Sequence, residues 1–190
     1  MIENKYKTSL SKTLSYILRH HPEDFDLEME IDGTISVNNL IKALQEDDRF
    51  ENIKFEDIER LADNDEKNRF TITDIENEEK RIKANYGHSI EQININYEKI
   101  IPPHYLYHGT THEYYKKIKK DGIKKMGRNY VHLSKTIKQA RKVGKRRSDQ
   151  PVILKIDALK MHQNGHSFFK TNSDIILTEY VDTKYIEVLD

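Results

Sequence analysis

The sequence contains no cysteine and no tryptophan, and its 190 residues include only seven glycines and four prolines. The absence of cysteine excludes disulfide bonds, thiolate zinc sites and cysteine nucleophiles, and it is compatible with a reducing compartment. Hydrophobic residues, 36% of the total, never form the run of ~18 that a bilayer-spanning helix needs. The first residues also lack the order of charged, apolar and small residues that is typical of a secretory signal. We therefore expect a soluble, cytoplasmic protein whose chemistry depends on histidine, arginine, lysine, carboxylates and hydroxyls.

The few glycines form neither GxGxxG nor GxxxxGK[ST], which disfavours a Rossmann or P-loop nucleotide site. Two histidine pairs, His108 with His112 and His162 with His166, have the spacing of a helical metal site. Neither pair has the glutamate of an HExxH motif, and a glycine next to one histidine of each pair weakens a helix there. We expect no bound metal.

Charge is unevenly distributed, although 32 basic and 32 acidic residues cancel over the whole chain. Residues 1–100 hold 14 Lys and Arg against 23 Asp and Glu, whereas residues 101–190 hold 18 against 9. The segment 114–147 has 14 basic residues and one acid, Asp121. This pattern indicates either a surface that binds a polyanion or a solvated face that balances the acidic part.

Apolar spacing predicts three short helices followed by a hairpin in the first hundred residues. The first helix is predicted over 8–19, with Thr8, Ser9 or Ser11 as its cap. The second helix follows Ser36, and the third surrounds Ile58. Alternating residues at 69–73 and 81–84 predict two strands around an acidic turn at 77–79. Such a pattern is typical of winged-helix modules, which bind nucleic acids or other proteins.

The chain changes character after Pro102 and Pro103, which favour extended backbone. Short strands are predicted at 105–107, 131–134, 152–156, 175–177 and 185–189, with helices at 114–120 and 136–143. We therefore predict an α+β protein with a boundary between residues 100 and 101.

Several ordered motifs give the sequence a likeness to a known family. They are LSYILRHHP at 14–22, RIKANYGHS at 81–89, LYHGT at 106–110, MGRNYVHLS at 126–134, and VGKRR at 143–147 followed by PVIL at 151–154. Together they cover nearly the whole chain and resemble the RNA 2′-phosphotransferase family. The resemblance implies a winged-helix-like lobe over 1–100 that binds RNA phosphate and an ADP-ribosyltransferase-like, β-rich lobe over 101–190 that binds NAD⁺.

The resemblance also implies an activity. Enzymes of this family, which act in tRNA splicing, transfer an internal RNA 2′-phosphate to NAD⁺ through an ADP-ribosylated RNA. The products are 2′-OH RNA, ADP-ribose 1″,2″-cyclic phosphate and nicotinamide. The partners implied are NAD⁺ as co-substrate and a tRNA-like RNA with a 2′-phosphate. The family further suggests a monomer that needs no metal.

Motif matching implies the site residues. The catalytic set is Arg19, His20, Arg69 and Arg128. The expected NAD⁺-binding residues are Tyr107, His108, Gly109, Thr110, His132, Leu133 and Ser134. Arg146 and Arg147 are candidates for binding the diphosphate or the RNA backbone.

Two departures and two alternatives stay open. The family commonly has Gln where this chain has Tyr86, and it commonly has Arg where this chain has Lys83. In addition, Arg81 competes with Arg69 for the third catalytic position. One alternative function is an ADP-ribosyltransferase that acts on terminal phosphates of RNA or DNA. The other is a non-catalytic RNA-binding module.

Overall fold

A computed structural model describes residues 2–74, 80–90, 92–93 and 95–189, with side chains from residue 5 onward. The chain forms two compact units, Met1–Asn96 and Tyr97–Asp190, which divide four residues before the predicted boundary. The functions expected of the two parts stay predictions. The predicted acidic turn at 77–79 lies outside the described residues.

The first unit combines three α-helices with a small antiparallel sheet. Its elements are α1 (Ile2–Ile17), β1 (Thr34–Ser36), α2 (Val37–Gln45), α3 (Phe55–Asp63), β2 (Phe70–Thr73) and β3 (Arg81–Ala84). The strand order in the sheet is β1-β3-β2. The three predicted helices and the hairpin are present. The predicted start of the first helix is wrong, because α1 already begins at Ile2 and places the expected cap residues inside it. Strand β1 was not expected.

Helical spacing explains the core of the first unit. Leu10, Leu14 and Ile17 lie on one side of α1 because they are three or four residues apart, and each is at most 1% exposed. They belong to one apolar cluster with side chains from the other helices and the sheet, including Leu40 and Ile58. Ser36 caps α2, because its hydroxyl accepts a hydrogen bond from the Asn39 amide.

The second unit is built on a seven-stranded antiparallel sheet in the order β12-β8-β5-β7-β10-β9-β4, with a separate two-stranded pair of β11 and β6. Its strands are β4 (Lys99–Ile100), β5 (Tyr105–Thr110), β6 (Ile123–Lys124), β7 (Val131–Ser134), β8 (Val152–Asp157), β9 (Phe168–Lys170), β10 (Ile175–Thr178), β11 (Tyr180–Val181) and β12 (Ile186–Leu189). Its helices are α4 (His112–Asp121), α5 (Ile137–Gly144) and α6 (Ala158–Gln163). The predicted strands and the two predicted helices are present, whereas β4, β6, β9, β11 and α6 were missed.

Helix α5 packs closely against β5 at a glycine. A Cβ atom added to Gly109 would lie 2.0 Å from the Ala140 carbonyl oxygen, so a larger residue cannot fit without moving backbone. Thr136 caps α5 by accepting a hydrogen bond from the Gln139 amide.

The architecture is thus mixed α and β with a large antiparallel sheet, as expected of the α+β class. The winged-helix and ADP-ribosyltransferase-like descriptions stay predictions. Among the described helices, none is both long enough and apolar enough to cross a membrane.

His88 is a buried titratable group in the first unit. Its side chain is 3% exposed. Its Nε2 atom has no hydrogen-bond partner among the described residues. Burial, reinforced by the charge of Arg19, lowers the pKa of His88 from 6.5 to about 4. The imidazole is therefore neutral near pH 7.

The low pKa of His88 predicts a loss of stability in mild acid. Because the unfolded chain binds a proton near pH 6.5 and the folded chain only near pH 4, the free energy of unfolding should fall as the pH is lowered through that range. The contribution of His88 to this fall is about 3 kcal/mol. Urea unfolding of the wild type and of His88→Leu between pH 7 and pH 4 measures it as a difference in pH dependence. His112→Leu, which removes an exposed histidine, should keep the wild-type pH dependence, and a wild-type dependence in His88→Leu would contradict the assignment.

Candidate functional site

Arg19 and His20 lie in the turn that follows α1. The His20 amide donates a hydrogen bond to the Tyr16 carbonyl oxygen over 3.0 Å, which continues the helical backbone past Ile17. The Ser89 amide donates to the Arg19 carbonyl oxygen over 2.9 Å, so the motif at 14–22 meets the motif at 81–89. Residues that are 70 positions apart in the sequence are therefore neighbours in the first unit.

Ser89 also holds the imidazole of His20. The Ser89 Oγ atom lies 2.8 Å from His20 Nδ1 and 3.4 Å from the Arg19 carbonyl oxygen. If the hydroxyl donates to that carbonyl, its oxygen accepts a hydrogen bond from His20 Nδ1–H. In this arrangement Nδ1 carries a proton, and Nε2 of a neutral ring is an acceptor.

The guanidinium of Arg19 lies over an aromatic ring. Its Cζ atom is 4.9 Å from the centre of the Tyr86 ring, which is a cation–π contact. The next residue, Gly87, has φ +91°, a conformation that L side chains rarely adopt. Glycine at this position therefore allows the chain to turn from Tyr86 beneath Arg19 toward Ser89.

Arg69 forms a bidentate pair with Asp65. The Arg69 Nε atom lies 2.9 Å from Asp65 Oδ2, and Nη2 lies 2.7 Å from Oδ1. Burial alone would raise the pKa of Asp65, but the hydrogen bonds from Arg69 outweigh it and hold that pKa below its usual range. The carboxylate in turn raises the pKa of Arg69. A guanidinium held along one edge still has Nη1 to offer to an anion.

Arg81, the competing candidate, is held by different partners. Its Nε atom donates to Thr34 Oγ1 over 2.9 Å, and its Nη2 atom lies 3.2 Å from Glu30 Oε1. Tyr86 connects the surroundings of the two candidate arginines. Its ring lies beneath Arg19, and its hydroxyl donates to the Lys67 carbonyl oxygen in the loop before Arg69.

The candidate NAD⁺ residues of the second unit lie on two adjacent strands. Tyr107, His108, Gly109 and Thr110 belong to β5, whereas His132, Leu133 and Ser134 belong to β7. The strands pair antiparallel with Tyr107 opposite Ser134. The two motifs are therefore brought together by the sheet.

Both strand histidines have their Nδ1 atoms turned to backbone carbonyls. His108 Nδ1 lies 3.3 Å from the His132 oxygen, and His132 Nδ1 lies 3.0 Å from the Tyr130 oxygen. A carbonyl accepts only, so Nδ1 carries the proton and Nε2 of a neutral ring is an acceptor. Desolvation lowers the pKa of His108, and the charge of Arg128 lowers it further. The hydrogen bond to the His132 carbonyl raises this pKa, but by less than the other two effects lower it.

Arg128 lies in the exposed loop between β6 and β7. Its amide donates to the Lys125 carbonyl oxygen over 3.2 Å, which closes a turn at the predicted Met-Gly-Arg motif. Its charge contributes to the lowering of the pKa of His108 on β5.

Helix α5 presents a basic surface. Ile137, Lys138, Arg141, Lys142 and Lys145 line one open depression. Arg146 and Arg147 follow directly and are also exposed. No carboxylate of the described residues forms a salt bridge with any of these six cations, whereas Lys155, Lys170 and Lys184 in the same unit are paired. We refer to these six cations as the α5 surface.

One group in the described part of the chain has the residue types of a metal site. His21, Glu23 and Asp24 are exposed and have ligand atoms within 4.8 Å of one another. All three side chains already form hydrogen bonds, because His21 Nδ1 lies 3.0 Å from Glu23 Oε1 and the Tyr16 hydroxyl donates to Asp24 Oδ2 over 2.5 Å. Nothing further points to a cation here.

Sequence reasoning missed three residues around the predicted set. Asp65 has a visible signal in its four-residue spacing from Arg69, but acids are too frequent in this half for that spacing to be distinctive. Ser89 and Tyr86 contact His20 and Arg19 across long sequence separations, which no local pattern indicates.

Comparison with known proteins shows the family to which the chain is similar. Residues 5–180 match the model of the family described as RNA 2′-phosphotransferase, Tpt1 / KptA family. A probable RNA 2′-phosphotransferase of Flavobacterium johnsoniae is 40% identical over 189 residues, which cover 98% of each chain. A protein of the same description from Rhizobium leguminosarum is 38% identical over 98% of this chain and 96% of its own length. On the strength of the family match and these near-full-length relatives, the chain belongs to the RNA 2′-phosphotransferase family.

Proposed function

We propose that this protein removes an internal 2′-phosphate from a tRNA-like RNA by transferring it to NAD⁺. Family membership supports the RNA 2′-phosphotransferase activity. The observation that carries the finer proposal is the meeting of two distant motifs in the first unit, where Ser89 binds both the Arg19 backbone and the His20 ring. Arg19, a cation, and His20, a proposed proton donor, are thereby held beside Ser89.

Arg19 and Arg69 are the proposed ligands of the 2′-phosphate. A phosphate has several anionic oxygens, and guanidinium groups bind them through paired N–H donors at any physiological pH. Asp65 aligns the guanidinium of Arg69, which reduces the loss of side-chain freedom on binding. Arg128 of the second unit is assigned from the family motif, and its proposed role is to balance phosphate charge during transfer.

His20 is the proposed general acid. In the second step the 2″-hydroxyl of the transferred ADP-ribose attacks phosphorus and loses its proton to water. The bond from phosphorus to the RNA O2′ breaks, and the departing oxygen needs a proton. With Nδ1 hydrogen-bonded to Ser89, His20 Nε2 is the nitrogen that delivers it. This role requires a protonated imidazole before the second step.

The residues on β5 and β7 fit a nucleotide co-substrate. Neutral His108 offers an Nε2 acceptor, which suits the hydroxyl groups of a ribose, and Ser134 and Thr110 supply further hydroxyls. NAD⁺ supplies an electrophilic ribose C1″ with nicotinamide as its leaving group. Gly109 keeps β5 free of a side chain at this position, although the packing of α5 also requires glycine there.

The proposed function is tested with a short RNA that has one labelled internal 2′-phosphate, incubated with and without NAD⁺ and in EDTA. We expect the label to leave the RNA as ADP-ribose cyclic phosphate only when NAD⁺ is present, and to do so in EDTA. Label that stays on RNA of increased mass would instead indicate an ADP-ribosyltransferase. Label on RNA of unchanged mass, with salt-sensitive binding, would indicate a binding module.

Arg69→Lys should arrest the reaction between its two steps. Lysine keeps a positive charge beside Asp65 but lacks the fork that spans two phosphate oxygens, so the second step should slow by about 10²-fold or more. Single-turnover assays should then accumulate ADP-ribosylated RNA. Arg81→Lys is the matched control and should form ADP-ribose 1″,2″-cyclic phosphate at the wild-type rate. Equal slowing of both variants would contradict the choice of Arg69.

The α5 surface is proposed to bind the RNA backbone outside the 2′-phosphate site. Six exposed cations without carboxylate partners repel one another, and a polyanion relieves that repulsion. Arg146 and Arg147, the last two of these six cations, belong to the same proposed RNA contact.

Replacing Lys138, Arg141 and Lys142 together by alanine should weaken binding of a tRNA-length substrate. The slope of log affinity against log salt should become shallower by about 2, because each lost phosphate contact removes a little under one unit. KM for a trinucleotide substrate should not change. The control replaces Lys124, Lys170 and Lys184, which have acidic partners. A salt dependence equal to that of the wild type in the α5 variant would remove this surface from the proposal.

A further inference from the structure

Tyr86 occupies a buried position between two parts of the proposed phosphate site. Its side chain is 9% exposed. It lies where the family commonly has Gln, so its role cannot be taken from the family motif. Two contacts, one from the ring and one from the hydroxyl, define what it does in this chain.

The ring of Tyr86 supports Arg19. The Arg19 Cζ atom lies 4.9 Å from the ring centre, within the range of a cation–π interaction. A Cβ atom built on the neighbouring Gly87 would lie 3.5 Å from the Cδ and Nε atoms of Arg19. The flexible stem of Arg19 is thus bordered by the 86–87 segment, which limits the directions that its guanidinium can take.

The hydroxyl of Tyr86 holds the loop that aligns Arg69. It donates a hydrogen bond to the Lys67 carbonyl oxygen over 2.9 Å. The same loop contains Asp65, whose carboxylate accepts hydrogen bonds from the Arg69 amide and side chain. Asn85 reinforces the connection, because its backbone amide donates to the Arg69 carbonyl oxygen over 2.7 Å.

We infer that Tyr86 is a positioning residue that fixes Arg19 and Arg69 relative to each other for binding a 2′-phosphate. Glutamine could accept or donate a hydrogen bond in the loop but has no ring to place under a guanidinium. The tyrosine therefore couples the two arginines through one rigid side chain. The inference rests on the proposed function, since it assigns both arginines to the same phosphate.

The test compares Tyr86→Phe, which keeps the ring, with Tyr86→Leu, which removes both ring and hydroxyl. The readout is phosphate discrimination, the ratio of the dissociation constants for 2′-OH RNA and 2′-phosphorylated RNA in fluorescence anisotropy. Tyr86→Leu should lower this ratio by about 2- to 30-fold, the range of a cation–π contact. Tyr86→Phe should lie between Tyr86→Leu and the wild type. Tyr6→Leu, the loss of another partly buried tyrosine of the first unit, should leave the ratio unchanged.

A double-mutant cycle separates positioning from a purely structural role. If Tyr86 acts through Arg19, Tyr86→Leu should lower the discrimination much less in an Arg19→Ala protein than in the wild type. Full additivity of the two changes, or a Tyr86→Leu protein that discriminates like the Tyr6→Leu control, would overturn the inference.

A second readout does not depend on the proposed function. The Nε–H resonance of Arg19 in an NMR spectrum should move when the ring is removed in Tyr86→Leu but keep its position in Tyr86→Phe. If the wild type does not discriminate between the two RNAs, the proposed function fails, while the resonance still reports whether Tyr86 holds Arg19. An Arg19 resonance that is the same in all three proteins would overturn the positioning role.

Discussion

The hydrogen bond from the Ser89 amide to the Arg19 carbonyl oxygen is the constraint on which the arrangement of the first unit depends. It joins the turn after α1 to the segment after β3, two stretches that are far apart in sequence. Ser89 Oγ can then reach His20, and the Tyr86 ring can lie beneath Arg19. A backbone contact thus sets the positions of side chains that carry charge and protons.

The protein presents its cations in two different ways. In the first unit, Arg69 and Arg19 are held by a carboxylate and by an aromatic ring, so their directions are fixed before any ligand binds. On the α5 surface the cations are exposed and have no carboxylate partners among the described residues, so their attraction for a polyanion is long-ranged but screened by salt. The first arrangement suits selection of one phosphate, and the second suits the retention of a long polyanion.

Sequence patterns predicted the elements that have strong periodicity or clear end signals. The helices around Leu14, Leu40 and Ile58 were predicted because their apolar residues recur at helical spacing. Strand β1, of three residues, was missed because so short a segment shows no alternation, and the start of α1 was misjudged because serine and threonine also occur inside helices. The site residues came from motifs, but Tyr86 and Ser89 act across distances that only the folded chain brings together.

The close packing at Gly109 has a consequence for how this protein can diversify. Because β5 and α5 meet backbone to backbone at Gly109 and Ala140, the inner side of the helix tolerates almost no change. The outer side has no such restriction, since Lys138, Arg141 and Lys142 are exposed. Mutation can therefore change the charge pattern of the outer side from one lineage to the next while the sheet below stays intact.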